Sequence, residues 1–197
     1  MSVLMFQPVR GLFLLLFCSL LFLGGCGGMG AEKKASPSPI AVQQAVGVER
    51  TLLYPSAEDM ILTGLTVKLP EEKTAEDSMI AVVERYIKGP VGENQIAPFP
   101  ENCRLRALFL RNGSVVVLDL SGPVNQGGGS DTEIARVYGL IDTLAWNFRE
   151  VESVKILVNG NEVDTLLGHV DLRRYLPPEP KLLAPELLQR WNGESHD

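Results

Sequence analysis

Cys26 closes an uncharged apolar run that opens at Gly11, and it directly follows Leu23-Gly24-Gly25. A thiol in that place can carry a diacylglycerol thioether, and two small residues before it let a peptidase fit the backbone. A second reactive combination is Gly168-His169-Val170-Asp171. Imidazole and carboxylate two residues apart could share a proton or ligate a metal. One of each is too few for a zinc site, so His169 and Asp171 read as groups that hydrogen-bond a chain reversal. Asp119, at the end of a strand-like run, reads the same way. Neither Ser121 nor Ser130 sits in a nucleophile elbow. Cys103 falls in an alternating apolar stretch and reads as a buried thiol acting as a small hydrophobe. The run Gly127-Gly128-Gly129 lacks the Lys-Ser/Thr pair and the spacing of phosphate loops, so it reads as a mobile connection. A glycosidase needs two carboxylates, but among 24 acids some pair always stands close. No catalytic residue, metal site or cofactor is expected.

Leu23-Gly24-Gly25-Cys26 resembles the lipobox of bacterial lipoproteins. Arg10 supplies a positive start and Leu12 to Leu23 an h-region, shorter than the ~20 apolar residues a spanning helix needs. Residues 1–25 are therefore expected to be a lipoprotein signal peptide, with Met1 or Met5 as the start. Residues 26–48 are expected to be the lipidated cysteine and a flexible tether. It holds Gly27-Gly28, Lys33-Lys34 and Ser36-Pro37-Ser38-Pro39, a composition with little to bury. Acyl chains of the palmitate kind on Cys26 would hold the protein to a membrane. Loss of Arg10 leaves the mature chain one unit more negative than the whole chain's −6. An acidic chain argues against nucleic acid as a partner and against electrostatic adhesion to anionic lipid. Gly27 after the lipid cysteine, in place of aspartate, favours an outer membrane facing the periplasm in a Gram-negative envelope.

The remaining residues must supply the frame. Residues 49–57 and 60–69 read as an antiparallel hairpin, with Gly64 as a possible bulge site. Thr74 with Asp77 three residues on reads as a capping box, opening a helix that Gly89-Pro90 stops. Residues 103–110 and 115–120 form a second hairpin, because Asn112-Gly113 supplies the positive φ angles of a tight turn. Val115-Val116-Val117-Leu118 has no polar alternate and is expected to be a central strand covered on both faces. Ser130 with Glu133 reads as the capping box of a second helix. Its core stripe is Ile134, Val137, Tyr138, Ile141, Leu144, Ala145 and Phe148, with Trp146 half-buried at an edge. Residues 154–158 read as the last long strand. The expected fold is α/β of the α+β kind, two helices on a mixed, largely antiparallel sheet in the order ββαββαβ. The domain spans 49–176. Residues 177–197 are a Pro-rich stop and a short amphipathic tail that must dock, either on its own domain or on a partner.

The order of these elements resembles the GerMN domain, named for a sporulation and germination protein. The resemblance rests on Val117-Leu118-Asp119-Leu120-Ser121 and on the helix carrying Val137-Tyr138-Gly139-Leu140-Ile141-Asp142-Thr143-Leu144. It continues through Val154-Lys155-Ile156-Leu157-Val158-Asn159-Gly160 and Gly168-His169-Val170-Asp171-Leu172. It implies helices packed on a mixed sheet and no established enzymatic chemistry. Such domains are often found on lipoproteins, and the named member belongs to an envelope-spanning assembly. This chain has one copy where that member has a tandem pair, so the biological process is not carried over. The expectation is a non-catalytic, lipid-anchored, extracytoplasmic interaction or scaffold module bound to an unidentified envelope protein. The alternatives are a cell-wall (peptidoglycan) hydrolase and a small-ligand-binding lipoprotein. The positions Asp119, Ser121, Gly168, His169 and Asp171 are expected to be structural.

Overall fold

The computed structural model describes residues 47–194. Cys26, the signal peptide, most of the tether and His196 lie outside the described residues. The described part is a mixed α+β fold with three helices and two sheets. Strands β1 (Gly47–Pro55) and β2 (Leu62–Pro70) pair antiparallel as a sheet of their own. Their register runs unbroken through Leu53 opposite Gly64, so Gly64 is no bulge. A Cβ there would stand 3.1 Å from Thr51 Cγ2 and 3.7 Å from Leu187, so the missing side chain keeps this face low for the C-terminal tail.

Helix α1 (Ala75–Ile87) starts as its sequence dictates, with the Thr74 hydroxyl accepting from the Asp77 N–H. It buries Met79, Val82, Val83 and Tyr86. Strands β3 (Arg104–Arg111) and β4 (Val115–Ser121) form the second hairpin, with φ of +52° at Asn112 and +78° at Gly113. Helix α2 (Ser130–Asn147) then crosses to β5 (Ser153–Val158), which lies parallel to β4, and the short β6 (Asn161–Glu162) ends the sheet in the order β3-β4-β5-β6. Val116, Leu118 and Leu120 of β4 are fully buried under the helices, while Val115 and Val117 on the other face are only half-buried. Helices cover one face of β4, and its second face is only partly shielded.

Helix α2 differs most from its expected form. It is buried on nearly all sides, including Ala135, Arg136, Gly139, Asp142, Thr143 and Trp146 outside the expected stripe. The reason is that β1 packs on the side opposite the four-stranded sheet. Leu53 N–H donates to Thr143 Oγ1 at 2.9 Å, Thr51 N–H to Asn147 Oδ1 at 3.0 Å, and Asn147 Nδ2 to the Thr51 carbonyl at 2.6 Å. Four helical residues rise about 6 Å and two strand residues about 6.6 Å. Thr143 and Asn147 therefore match the spacing of Thr51 and Leu53 and close an otherwise open strand edge. Gly139 permits the approach, since a Cβ there would overlap the Tyr86 hydroxyl.

The tail docks on its own domain. A 3-10 turn at Pro180–Leu182 leads into α3 (Pro185–Glu194). Leu183, Ala184 and Leu187 bury against Leu53, Leu62 and Trp146, and the Ala184 N–H donates to the Leu62 carbonyl at 2.9 Å. Trp146 is thus a buried residue, 9 % exposed, whose ring lies 6.0 Å from that of Trp191.

Candidate interaction face

Of the residues singled out from sequence, Asp119, Ser121 and Asp171 bond backbone groups through their side chains, while His169 contributes only its main-chain N–H. Asp119, 8 % exposed, accepts from the Gly160 N–H at 2.8 Å and pairs with Arg106 at 3.0 Å, so it closes the Asn159-Gly160 turn between β5 and β6. Ser121 Oγ donates to the Arg104 carbonyl across the hairpin at 3.5 Å. Gly168, at φ +99°, donates its N–H to Thr165 Oγ1. His169 is exposed, and its main-chain N–H donates to Glu133 Oε2 at 2.6 Å. Asp171 accepts from Arg173 through both backbone and guanidinium, which holds its carboxyl down at about 2. The hydrogen bonds of Asp119 and Ser121 share no residue with those of 168–171. Cys103 is buried, and burial raises its thiol, the state of a small hydrophobe and not of a nucleophile. Among the described residues no group of three or more His, Cys, Asp or Glu side chains could hold a metal ion.

Sequence reasoning missed three buried charges on α2. Glu133 is fully buried and accepts from the N–H groups of Leu166, Leu167 and His169 at 2.6 to 2.8 Å. It therefore does not close a capping box with Ser130. Gly129 is the N-cap residue, with no side-chain cap bond. Arg136 donates to the carbonyls of Pro98 and Val124, both at 2.6 Å, and to that of Gln126, and its guanidinium lies over the Phe99 ring. The connection before α2 is thereby held at Val124 and Gln126, just ahead of the exposed run Gly127-Gly128-Gly129. Asp142 accepts the Glu179 N–H at 2.8 Å. The sequence held no signal for these three charges: α2 carries Asp131, Glu133, Arg136 and Asp142, an ordinary charge content, and such side chains read as solvent-facing.

What the fold leaves open is the outer face of β3. Phe109 is 57 % exposed there, opposite the half-buried Val117. Arg104, Arg106 and Arg111 are exposed around it, brought to one face by strand alternation and by an irregularity between Leu105 and Ala107. Tyr175, 46 % exposed, accepts a hydrogen bond from Arg111 at 3.5 Å. Its segment is fastened by Lys155, whose ammonium donates to the carbonyls of Leu172 and Arg173, and by paired backbone bonds between Val154 and Leu176. The free edge of β3 is held at one point, where Glu76 of α1 accepts the Leu110 N–H at 2.7 Å. Beside this face a groove of about 780 Å³ is lined by Glu84, Ile87, Phe99, Cys103, Arg104 and Leu105 among others. Exposed aromatics and arginines are side-chain types enriched at protein interfaces.

Solved structures share this architecture. The first GerMN domain of the sporulation protein GerM from Bacillus subtilis matches with a TM-score of 0.56 at 18 % identity, covering 66 % of this chain and 97 % of that one. The tandem GerMN domains of the same protein match with a TM-score of 0.56 at 18 % identity over 66 % of this chain, which spans only 46 % of the pair. A protein of Clostridium perfringens, provisionally named a lipoprotein, gives a TM-score of 0.49 at 18 % identity over 66 % of this chain and 87 % of its own, too loose to argue from. Among curated proteins no match was found. A family model described as sporulation and spore germination matches residues 51–164, more than half of the chain, and the protein belongs to that Germane family.

Proposed function

We propose that this protein is a lipid-anchored, extracytoplasmic module of the cell envelope that binds another envelope protein and has no catalytic activity of its own. The reading is carried by the outer face of β3, where Phe109 and Tyr175 stand exposed among Arg104, Arg106 and Arg111. Arg106 is paired with Asp119, so Arg104 and Arg111 are the cations on this face that would favour an acidic counter-surface around Phe109. Arginine and aromatic anchors give the large losses on truncation at interfaces, and charge complementarity adds specificity and speed of encounter. The buried carboxylates of Asp119, Glu133 and Asp142 each accept from backbone N–H groups, which favours a structural role for them over an acid–base one. Anchoring through Cys26 supports the envelope setting, because a tethered module needs only modest affinity to stay engaged.

Phe109→Asp and Arg111→Glu should each abolish co-purification of the partner from crosslinked envelopes, while the melting temperature stays within a few degrees of the parent. Retained co-purification in both variants would remove the face from the reading. Incubation of the purified protein with peptidoglycan tests the hydrolase alternative, since turnover without any added protein would establish it.

A further inference from the structure

We propose that Asp142 is a proton-operated latch on the C-terminal strap formed by residues 177–194: its neutral carboxyl keeps the strap closed over Trp146, and its ionised form lets the strap open. Asp142 is fully buried in the middle of α2. Its Oδ1 accepts the Glu179 N–H at the start of the strap, and its Oδ2 has no hydrogen-bond partner. A carboxylate oxygen without a donor is costly in such a place, whereas a neutral carboxyl is tolerated far better. Burial is accordingly the main cause that raises this carboxyl to about 7, against the lowering effect of the Glu179 N–H.

The groups that face Asp142 reinforce the effect. From the strap comes the Glu179 carboxylate, which repels the ionised form. From α1 comes Tyr86 and from its own helix Tyr138, both held above their ordinary values by burial and so neutral throughout this range. Arg136 and Arg174 act on those two tyrosines. Water admitted by opening the strap would solvate Asp142 and relieve its repulsion with Glu179. The strap is suited to move as a piece. It begins at Pro177-Pro178, is tied to the body by the Ala184 N–H on the Leu62 carbonyl, and rests on Leu53, Leu62 and Trp146 through Leu183, Leu187 and Trp191. It also stacks guanidinium on indole across the contact, through Arg149 over Trp191 and Arg190 over Trp146. Its opening would bare that apolar face as pH rises through neutrality. The latch stands independently of the lipid anchor and of the partner.

The chain carries two tryptophans, and they face each other across this contact, Trp146 on the body and Trp191 on the strap. Intrinsic fluorescence of the full chain, titrated from about pH 5.5 to 8.5 with far-UV circular dichroism in parallel, reads the latch directly. The expected result is a red shift as pH rises through this range, at constant dichroism, that is lost in Asp142→Asn. Glu179→Gln removes the repulsion that favours opening, so it should move the midpoint to higher pH. A flat profile in the parent, a transition that survives in Asp142→Asn, or a red shift accompanied by loss of dichroism would overturn the proposal. Should Asp142→Asn fail to fold, the Glu179→Gln midpoint decides, and an unmoved midpoint counts against the latch.

Discussion

A buried charge in this protein serves backbone groups far away in sequence. Glu133 reaches residues 33 to 36 positions on, Asp142 one 37 positions on, and Arg136 one 38 positions back. Glu133→Gln keeps the size but replaces one acceptor oxygen with a donor, so at least one of three N–H groups is left unsatisfied in a dry site. A loss of about 1–3 kcal/mol is expected in urea denaturation, with faster amide exchange at Leu166 to His169. Asp142 makes stability depend on pH. Its folded value of about 7 lies above the ordinary 3.8, so the native state binds an extra proton between those limits and stability falls as pH rises through them. The full loss is on the order of 4 kcal/mol, given 1.36 kcal/mol per unit. Denaturation midpoints measured at pH 5 and pH 8 should differ in that direction, and by much less in Asp142→Asn. Local chemistry was readable at this scale: Asn112-Gly113 made its turn and Thr74 its cap with partners a few residues away. Glu133 misled because its capping-box spacing is equally good for a carboxylate that reaches across to another loop.

At the scale of elements, α2 is the hub. Glu133 holds the loop at 166–169, Arg136 the loops at 98 and 124–126, Asp142 the strap, and Thr143 with Asn147 the edge of β1. Its apolar stripe was legible from 3.6-residue periodicity, and so was the β3–β4 hairpin. The second buried side was not legible, because periodicity reports a stripe and says nothing of what covers the rest. Ile141 is fully buried, so Ile141→Ala should cost about 2–5 kcal/mol. Gln126→Ala keeps the carbonyl that Arg136 uses and removes an exposed side chain, so its cost should stay within about 0.5 kcal/mol. Denaturation curves of the two variants check the ranking. Deleting residues 181–197 strips Leu183, Leu187 and Trp191 from Leu53, Leu62 and Trp146. Calorimetry should show a lower melting temperature, since that apolar packing lies within the chain and stabilises its folded state.

For the whole molecule, two sheets clamp one helix, and the sequence order ββαββαβ was enough to anticipate the class but not that the first hairpin stands apart as its own sheet. Hydrophobic alternation marks a strand without naming its neighbour. The proposed face was illegible for a related reason: Arg104, Arg106, Phe109 and Arg111 read as an ordinary alternating strand until the outer side of β3 is found open. The proposed anchoring belongs to the chain as a whole. In Cys26→Ala, mass spectrometry of the membrane fraction should find no acylated mature form, and acylation at the usual mass would remove the anchor. The most direct measurement concerns the face itself. A photocrosslinking residue placed at position 109, with one at exposed Gln126 as control, should yield in living cells one discrete adduct of the same mass from 109 and none from 126, lost on Arg111→Glu. Equal labelling from both positions, or no adduct from position 109, would contradict a partner docked on β3.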